Sequence, residues 1–137
     1  MARNQNSLLL LSLLLLLASS PVSLAWPVMG IAGFTTSRYS EQSCTEKAPT
    51  ITMFAGVSDE LYGNGEICGA KYSVTCIGAV DGRPPSPCRT SNPVVVTVTD
   101  SCSPEAAKPC PTFVLSAKAF ALIANPRAGK ALITYDR

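Results

Sequence analysis

Six cysteines are the feature that most constrains this chain of 137 residues. They lie at Cys44, Cys68, Cys76, Cys88, Cys102 and Cys110. In a small secreted domain such a set normally forms three disulfides, whereas a zinc site needs Cys-x-x-Cys pairs or histidines. The chain contains neither. The cysteines therefore predict three disulfides and no metal site, and their spacing leaves all fifteen pairings open.

The N-terminus predicts a secreted protein. A polar start leads into an apolar run at residues 7–20, a length typical of a signal peptide and short for a membrane span. Small residues precede the expected cleavage point after Ala25. We expect residues 1–25 to be a signal peptide and residues 26–137 to be one domain, which does not insert into a membrane after cleavage.

The charge balance and the absence of histidine exclude several functions. The formal net charge is +2 and falls to +1 without Arg3, which is too low for a nucleic-acid partner. Without histidine, the chain cannot form a Ser-His-Asp or Cys-His site or a histidine-ligated metal centre. Only carboxylate chemistry remains available. We expect a monomer that needs no cofactor.

Short β-like runs separated by loops rich in glycine and proline dominate the mature chain. The runs are Gly30 to Phe34, Thr50 to Val57, Lys71 to Ile77, Val94 to Thr99 and Ala131 to Tyr135. One helix is predicted to begin at its N-cap, Ser116, and to end before Pro126. The pattern predicts a mainly β domain, either a small barrel or a sandwich, with one or two short helices.

The order of these pieces resembles a known family. The chain contains, in order, "GIAGF", "DELYGNGEICGAKYSVTCIGA", "NPVVVTVTDSC" and "FVLSAKAFALIANPRAGKALITY". This set is similar to the plant natriuretic peptides, small single-domain relatives of expansins whose domain resembles a family-45 endoglucanase. The resemblance covers residues 30–135 and implies a six-stranded double-psi β-barrel with an open groove across one face.

The resemblance also narrows the disulfide pairing. By analogy with expansins, it implies that Cys44 pairs with Cys68 and that Cys76 pairs with Cys88. Cys102 and Cys110 are then left to pair with each other. A small barrel with these three bridges should not stay folded when it is reduced.

Hydrolysis is not expected from this chain. Family-45 endoglucanases invert the anomeric centre, which requires two carboxylates roughly 6.5 to 9.5 Å apart. Expansins keep an acid in the phrase aligned with residues 113–116, where this chain has Val114, and residues 33–40 supply no partner acid. We therefore assign no catalytic residue. We expect Asp100 to be a strand-end residue that accepts backbone N–H bonds, or a polar contact on the floor of the groove.

Four residues are candidate contacts for a polysaccharide in the groove or for a receptor. They are Tyr39, Asp59, Tyr62 and Asp100. Tyr62 lies in a glycine-rich segment, where we expect an exposed loop with the ring available as a contact. Expansins place an aromatic residue directly after the phenylalanine of the first strand, whereas Thr35 follows Phe34 here, which weakens the expectation that glucan is bound.

Two functions follow from this interpretation. The leading hypothesis is a secreted, non-enzymatic signalling protein of the natriuretic-peptide type, which acts through a cell-surface receptor on ion and water balance and in stress responses. The alternative is an expansin-like protein that binds cell-wall polysaccharide without cleaving it. Both place the protein outside the cell, in the apoplast or the wall.

Overall fold

The computed structural model describes residues 27–36, 51–102 and 109–137, together with Pro21 and Cys44. The rest of the predicted signal peptide and the candidate Tyr39 lie outside the described residues. The strands are β1 (Val28–Thr35), β2 (Phe54–Val57), β3 (Lys71–Gly78), β4 (Val94–Ser101), β5 (Phe113–Ser116) and β6 (Ala131–Asp136). The helices are α1 (Asp59–Tyr62), α2 (Ala117–Ile123) and a 3₁₀ helix (Pro126–Ala128). None of the described helices is long and apolar enough to span a bilayer.

The six strands close into a barrel in the order β1-β5-β2-β4-β3-β6. The pairs β1/β5 and β2/β4 are parallel, and the other four pairs are antiparallel. Closure leaves no exposed sheet edge, so a chain of this size can bury one continuous core. The predicted six-stranded double-psi β-barrel with three disulfides is confirmed.

Alternating burial along the strands explains how the sequence selects this barrel. In β3, Tyr72, Val74 and Cys76 point inward, and in β4 Val94 and Val96 do the same while Val95 is exposed. Successive side chains of a strand point to opposite faces, so β-branched residues at every second position bury one face.

Two of the predicted strand positions need correction. The run predicted from Thr50 begins as a strand only at Phe54, because residues 51–53 are irregular. The strand β5 was not among the runs found in the sequence pattern. It has four residues and leads directly into α2, so its apolar residues are indistinguishable from the start of a helix by periodicity alone.

The helix predicted from its N-cap is confirmed. The Ser116 side-chain oxygen accepts a hydrogen bond from the backbone N–H of Ala119 at 3.3 Å. Phe120 and Ile123 lie on the buried face, and the Phe120 ring centroid is 4.9 Å from that of Phe34 on β1. The helix thus caps one end of the barrel through a single apolar face.

The three disulfides join the pairs that the resemblance implies. Cys44–Cys68, Cys76–Cys88 and Cys102–Cys110 have Cα–Cα distances of 5.6, 5.5 and 6.0 Å. The first anchors the segment after α1, the second ties the loop after β3 to the barrel, and the third follows β4. Each is expected to stabilise the fold by about 2 to 4 kcal/mol through the unfolded state.

Candidate functional site

One row of residues crosses four neighbouring strands of the barrel. Gly33 of β1 pairs with Val114 of β5, Val114 pairs with Gly56 of β2, and Gly56 pairs with Asp100 of β4. We call Gly33, Val114, Gly56 and Asp100 the outward row. Its residues have register partners on adjacent strands, so their side-chain positions lie side by side on one face of the sheet.

The outward row lies on the outer face of the barrel. Ala55 and Val57, which flank Gly56, belong to the core, and so do Phe113 and Leu115, which flank Val114. Because side chains alternate along a strand, the residues between them must point away from the core. A Cβ placed on Gly56 would lie 3.8 Å from the Asp100 Cβ, which confirms that the two positions share a face.

A β-bulge turns Asp100 toward this face. Ala55 pairs with Val98 and Gly56 pairs with Asp100, so Thr99 is the extra residue that β4 carries at this point. Val98 points into the core, and without the extra residue the alternation would place Asp100 inside as well. The bulge therefore turns the Asp100 side chain away from the core, and the residue stays buried on the outer side of the sheet.

Asp100 and Val114 form the floor of the row rather than its rim. Their side chains are only 6% and 9% exposed. The two Cα positions are separated by two interstrand spacings, about 9.5 Å. Between them, and again at Gly33, the row has no side chain. Gly33 and Gly56 are buried as well, so the row is a buried strip with a carboxylate at one end and an aliphatic side chain next to Gly33.

The Asp100 carboxylate is held by the backbone. Its Oδ1 accepts a hydrogen bond from the Ser101 N–H at 2.8 Å, as expected for a residue at the end of a strand. The Cys102 N–H, two residues further on, donates to the Val57 carbonyl at 2.6 Å. The role of Asp100 as a contact for a ligand stays a prediction.

The row offers one ionisable group, and inverting hydrolysis needs two. Val114 and the two glycines have no side-chain group that could donate a proton to a substrate or accept one from it. The described residues also contain no cluster of three or more His, Cys, Asp or Glu side chains that is suited to hold a metal ion.

A cavity of about 470 Å³ lies beside the outward row, along the neighbouring face of β4. It is lined by Cys44, Ile51, Tyr62, Asn64, Gly65, Cys68, Gly69, Thr97, Val98 and Thr99. Thr99 joins the two features, because it lines this cavity and directly precedes Asp100. The Cys44–Cys68 bridge holds the walls together, since the Cys44 N–H also donates to the Thr99 carbonyl at 3.3 Å.

The prediction that Tyr62 lies in an exposed loop is wrong. Tyr62 is the last residue of α1, is half-buried and packs against the core cluster. Its hydroxyl lies 3.8 Å from Cys68 Sγ, and the tyrosine must be the donor because a disulfide sulfur carries no proton. A single short helical turn before three glycines has no periodicity that the sequence could reveal. Tyr62 nevertheless lines the cavity, so its role as a contact stays a prediction.

Thr99 carries an unusual buried hydroxyl. Its side chain is 4% exposed, and within the described residues its Oγ1 is the buried side-chain oxygen for which no hydrogen-bond partner is present. A buried hydroxyl without a partner costs free energy. Sequence reasoning missed this residue, because the bulge that isolates it depends on pairing between distant strands.

The remaining candidates do not converge on one point. Asp59 is exposed in the first turn of α1, on the same short element as Tyr62. Asp100 is reached from Tyr62 only across the cavity wall formed by Thr99. Of the four predicted contacts, the structure thus places Tyr62 and Asp100 on adjoining surfaces and leaves Asp59 on the outside of α1.

Comparison with known proteins agrees with this architecture. The family model DPBB_1, described as "Lytic transglycolase", matches residues 54–135. An EG45-like domain containing protein of Citrus jambhiri is 35% identical over 115 residues, which cover 84% of this chain and 85% of that protein. EG45-like domain containing protein 1 of Arabidopsis thaliana is 39% identical over 113 residues, which cover 82% and 85%.

Expansins are similar over a smaller part of their length. Expansin-B4 of Arabidopsis thaliana is 33% identical over 69% of this chain and 34% of its own. The ligand-free Clavibacter michiganensis expansin superimposes with a TM-score of 0.59 at 23% identity, and its D-to-N mutant in complex with cellohexaose with 0.58 at 24%. In both superpositions, the aligned part covers 81% of this chain and 50% of the solved expansin chain. Fold and sequence together show that the chain belongs to the EG45-like, expansin-like family of double-psi β-barrel domains.

Proposed function

We propose that this protein is an extracellular, non-hydrolytic member of its family that binds a cell-wall polysaccharide along the outward row. The observation that carries the proposal is the row itself. It combines two glycines, Gly33 and Gly56, with one carboxylate, Asp100, and an aliphatic residue, Val114, where a second acid would be needed for hydrolysis; all four positions are buried, so a ligand is expected to contact the row from its edges.

The geometry of the row suits a flat, extended sugar chain. Four strands at a spacing of about 4.8 Å span roughly 14 Å, which is long enough to contact several sugar residues. A carboxylate accepts hydrogen bonds from sugar hydroxyls. The cavity beside β4 adds the half-buried ring of Tyr62, whose faces and hydroxyl suit a carbohydrate.

A structural neighbour supports the choice of ligand class. The Clavibacter michiganensis expansin, which shares the fold, was solved with cellohexaose. That likeness concerns the fold, and the transfer of the ligand to this chain is part of the proposal. Secretion belongs to the proposal as well, and it rests on the leader-like residues 1–25 and on the three disulfides.

The experiment uses the mature, oxidised protein on insoluble cellulose and xyloglucan. We expect retention on the glucan together with no release of reducing ends above a blank without protein. Absence of retention on every neutral wall glucan would overturn the binding proposal. Release of reducing ends that disappears in Asp100→Asn would overturn its non-hydrolytic part.

A second candidate function is signalling of the natriuretic-peptide type, through a cell-surface receptor that controls ion and water balance. This candidate rests on the resemblance of the sequence to plant natriuretic peptides, and it is compatible with the match to 85% of two EG45-like proteins but only about a third of Expansin-B4. The surface that would carry it is the segment after α1, where Gly63 and Asn64 are exposed and Cys68 provides an anchor.

Protoplasts separate the two functions, because they have no wall. If the protein is a signal, the mature protein should change protoplast volume, and a protein denatured by reduction should not. If polysaccharide binding is the only function, protoplasts should not respond while glucan retention persists. A volume response without any glucan retention would replace the first proposal by the second.

A further inference from the structure

The two ends of the barrel carry opposite charge. β3 runs from Lys71 at one end to Gly78 at the other, and β6 begins beside the end of β3, where Gly78 pairs with Leu132. We call the end where β3 finishes the basic end and the end where it starts the acidic end. The loops after β3, α2 and the 3₁₀ helix all lie at the basic end, because β1 and β5 finish there too.

The described charged residues separate cleanly between these ends. The basic end has five cations and one acid: Arg83, Arg89, Lys118, Arg127 and Lys130, with Asp81. The acidic end has five acids and two cations: Asp59, Glu60, Glu66, Asp100 and Asp136, with Lys71 and Arg137. Counted over residues 27–36, 51–102 and 109–137, the formal charges are therefore +4 at the basic end and −3 at the acidic end. Such a separation attracts an anion to one end only.

A cleft of about 520 Å³ lies at the basic end. The loop after β3 forms one wall, and the 3₁₀ helix with the residue before β6 forms the other. It is lined by Ala79, Val80, Asp81, Pro85, Ser86, Pro87, Asn125, Arg127, Ala128 and Lys130. Arg127 and Lys130 are exposed, so their charged groups are available to a ligand, and the Asp81 carboxylate accepts the Arg83 N–H at 3.0 Å.

The walls of the cleft are held in place before any ligand arrives. The Cys76–Cys88 bridge ties the loop to β3. The Asn125 N–H donates to the Pro87 carbonyl at 2.8 Å, and the Arg89 N–H donates to the Ile123 carbonyl at 2.9 Å. The loop is therefore joined to the segment after α2 on the opposite wall, and a ligand would not have to order it, which removes one of the usual costs of binding.

We propose that this cleft binds a carboxylated polysaccharide, with Arg127 and Lys130 pairing with carboxylates of successive uronic-acid residues. Guanidinium pairs with carboxylate through two parallel hydrogen bonds, and the proline and alanine side chains of the walls present apolar surface to sugar rings. A nucleic acid is a poor fit, since the net charge of the chain is only +2.

The position of the cleft favours a polysaccharide over other anions. The carbonyl oxygen of Gly129 lies 3.9 Å from where a Cβ on Gly33 would stand, and Gly129 is flanked by Ala128 and Lys130 of the cleft. The cleft therefore adjoins the Gly33 end of the outward row. The proposal for the cleft rests on the proposed polysaccharide-binding function. The experiment below distinguishes a failure of the cleft proposal from a failure of that function.

The test measures binding of the mature, oxidised protein to oligogalacturonate, to the same oligomer after methyl esterification, and to neutral cellohexaose. We expect binding of oligogalacturonate that weakens with added salt and is lost on esterification, which removes the charges. The double variant Arg127→Gln/Lys130→Gln should weaken this binding about fivefold or more and leave cellohexaose binding unchanged. The matched control Lys71→Gln/Arg137→Gln, at the acidic end, should leave both unchanged.

Two other outcomes overturn this proposal, and a third overturns only the proposed function. Binding that survives esterification, or that responds equally to both double variants, would exclude a specific role for the cleft. Sedimentation could instead show salt-sensitive self-association that the Arg127→Gln/Lys130→Gln change reverses, with no oligogalacturonate binding. That result would show that the basic end binds the acidic end of a second copy of the chain. If no protein in the set binds cellohexaose while oligogalacturonate binding is intact, the proposed function is overturned. The proposal for this cleft is then unaffected.

Discussion

Asp100 and Val114 lie on opposite sides of Gly56, each as its register partner on a neighbouring strand. Their Cα positions are about 9.5 Å apart, close to the carboxyl separation of an inverting glycosidase. One of the two positions is a carboxylate and the other is an aliphatic side chain. The row thus offers one ionisable group where inverting hydrolysis would need two.

Val114→Asp places a second carboxylate in the outward row, and we expect the variant to remain inactive as a hydrolase. The Asp100 carboxylate is bound to the Ser101 N–H and is 6% exposed, so it is not free to activate a water molecule. Reducing-end release from soluble β-glucan is the measurement, with Val114→Asn as the isosteric control. Hydrolysis by the aspartate variant but not by the asparagine variant would contradict this account.

Thr99→Val should raise the free energy of unfolding by about 1 kcal/mol. The change removes a buried hydroxyl that has no partner among the described residues and keeps the shape of the side chain. Denaturant unfolding of the oxidised protein measures the effect, and Thr97→Val, at a neighbouring position of β4 in the same cavity wall, serves as the comparison. A destabilised Thr99→Val protein would show that an ordered water molecule satisfies the hydroxyl.

Tyr62→Ala and Tyr62→Phe should behave differently. The alanine variant removes a half-buried ring that packs on the core, so we expect it to lose about 1 to 2 kcal/mol of stability and to bind glucan less well. The phenylalanine variant keeps the ring and should retain both. Thermal unfolding and glucan retention are measured together, and a phenylalanine variant that is stable but no longer retained would assign binding to the hydroxyl rather than the ring.

Stability should fall in alkaline solution partly because of Tyr135. Burial raises the pKa of the Tyr135 phenol above its usual value of 10.0, and Tyr72 and Glu60 raise it further. Below that usual value the phenol is protonated in both states, so its contribution is fully present there. As the pH rises through the raised pKa, the unfolded chain ionises more readily and the contribution is lost.

Tyr135→Phe tests this dependence, because phenylalanine cannot ionise and keeps the ring, whose centroid lies 4.9 Å from that of Phe113. The free energy of unfolding, measured from pH 8 upward, should decline less steeply in the variant than in the original protein. Parallel curves for the two proteins would show that Tyr135 contributes nothing to the alkaline loss.

The elements with local signals were predictable from the sequence. Alternation along β3 and β4 marked two strands within two residues of their observed ends, and the hydroxyl of Ser116 marked the start of α2. The disulfide pairing came from the family resemblance and not from cysteine spacing. Each of these predictions depended on residues near in sequence or on a family already known.

The parts that sequence reasoning missed depend on long-range pairing. The outward row exists because β2 is inserted between β4 and β5, and no local pattern shows that Gly56 separates Asp100 from Val114. The bulge at Thr99 has the same origin. The charge separation that defines the basic end also appears only after the barrel has brought together loops that are distant in the sequence.

Binding of cellohexaose by calorimetry tests the central claim most directly, when the mature protein is compared with Gly56→Val and Leu122→Ala. A Cβ on Gly56 would meet only ordinary contacts of 3.7 to 3.8 Å, and the further methyl groups of valine would occupy the space between Asp100 and Val114. Leu122 is 55% exposed on α2 and serves as the control. We predict that the mature protein and Leu122→Ala bind while Gly56→Val, folded by circular dichroism, does not. Equal binding by all three proteins, or no binding by any of them, would contradict the claim that the outward row is the polysaccharide site.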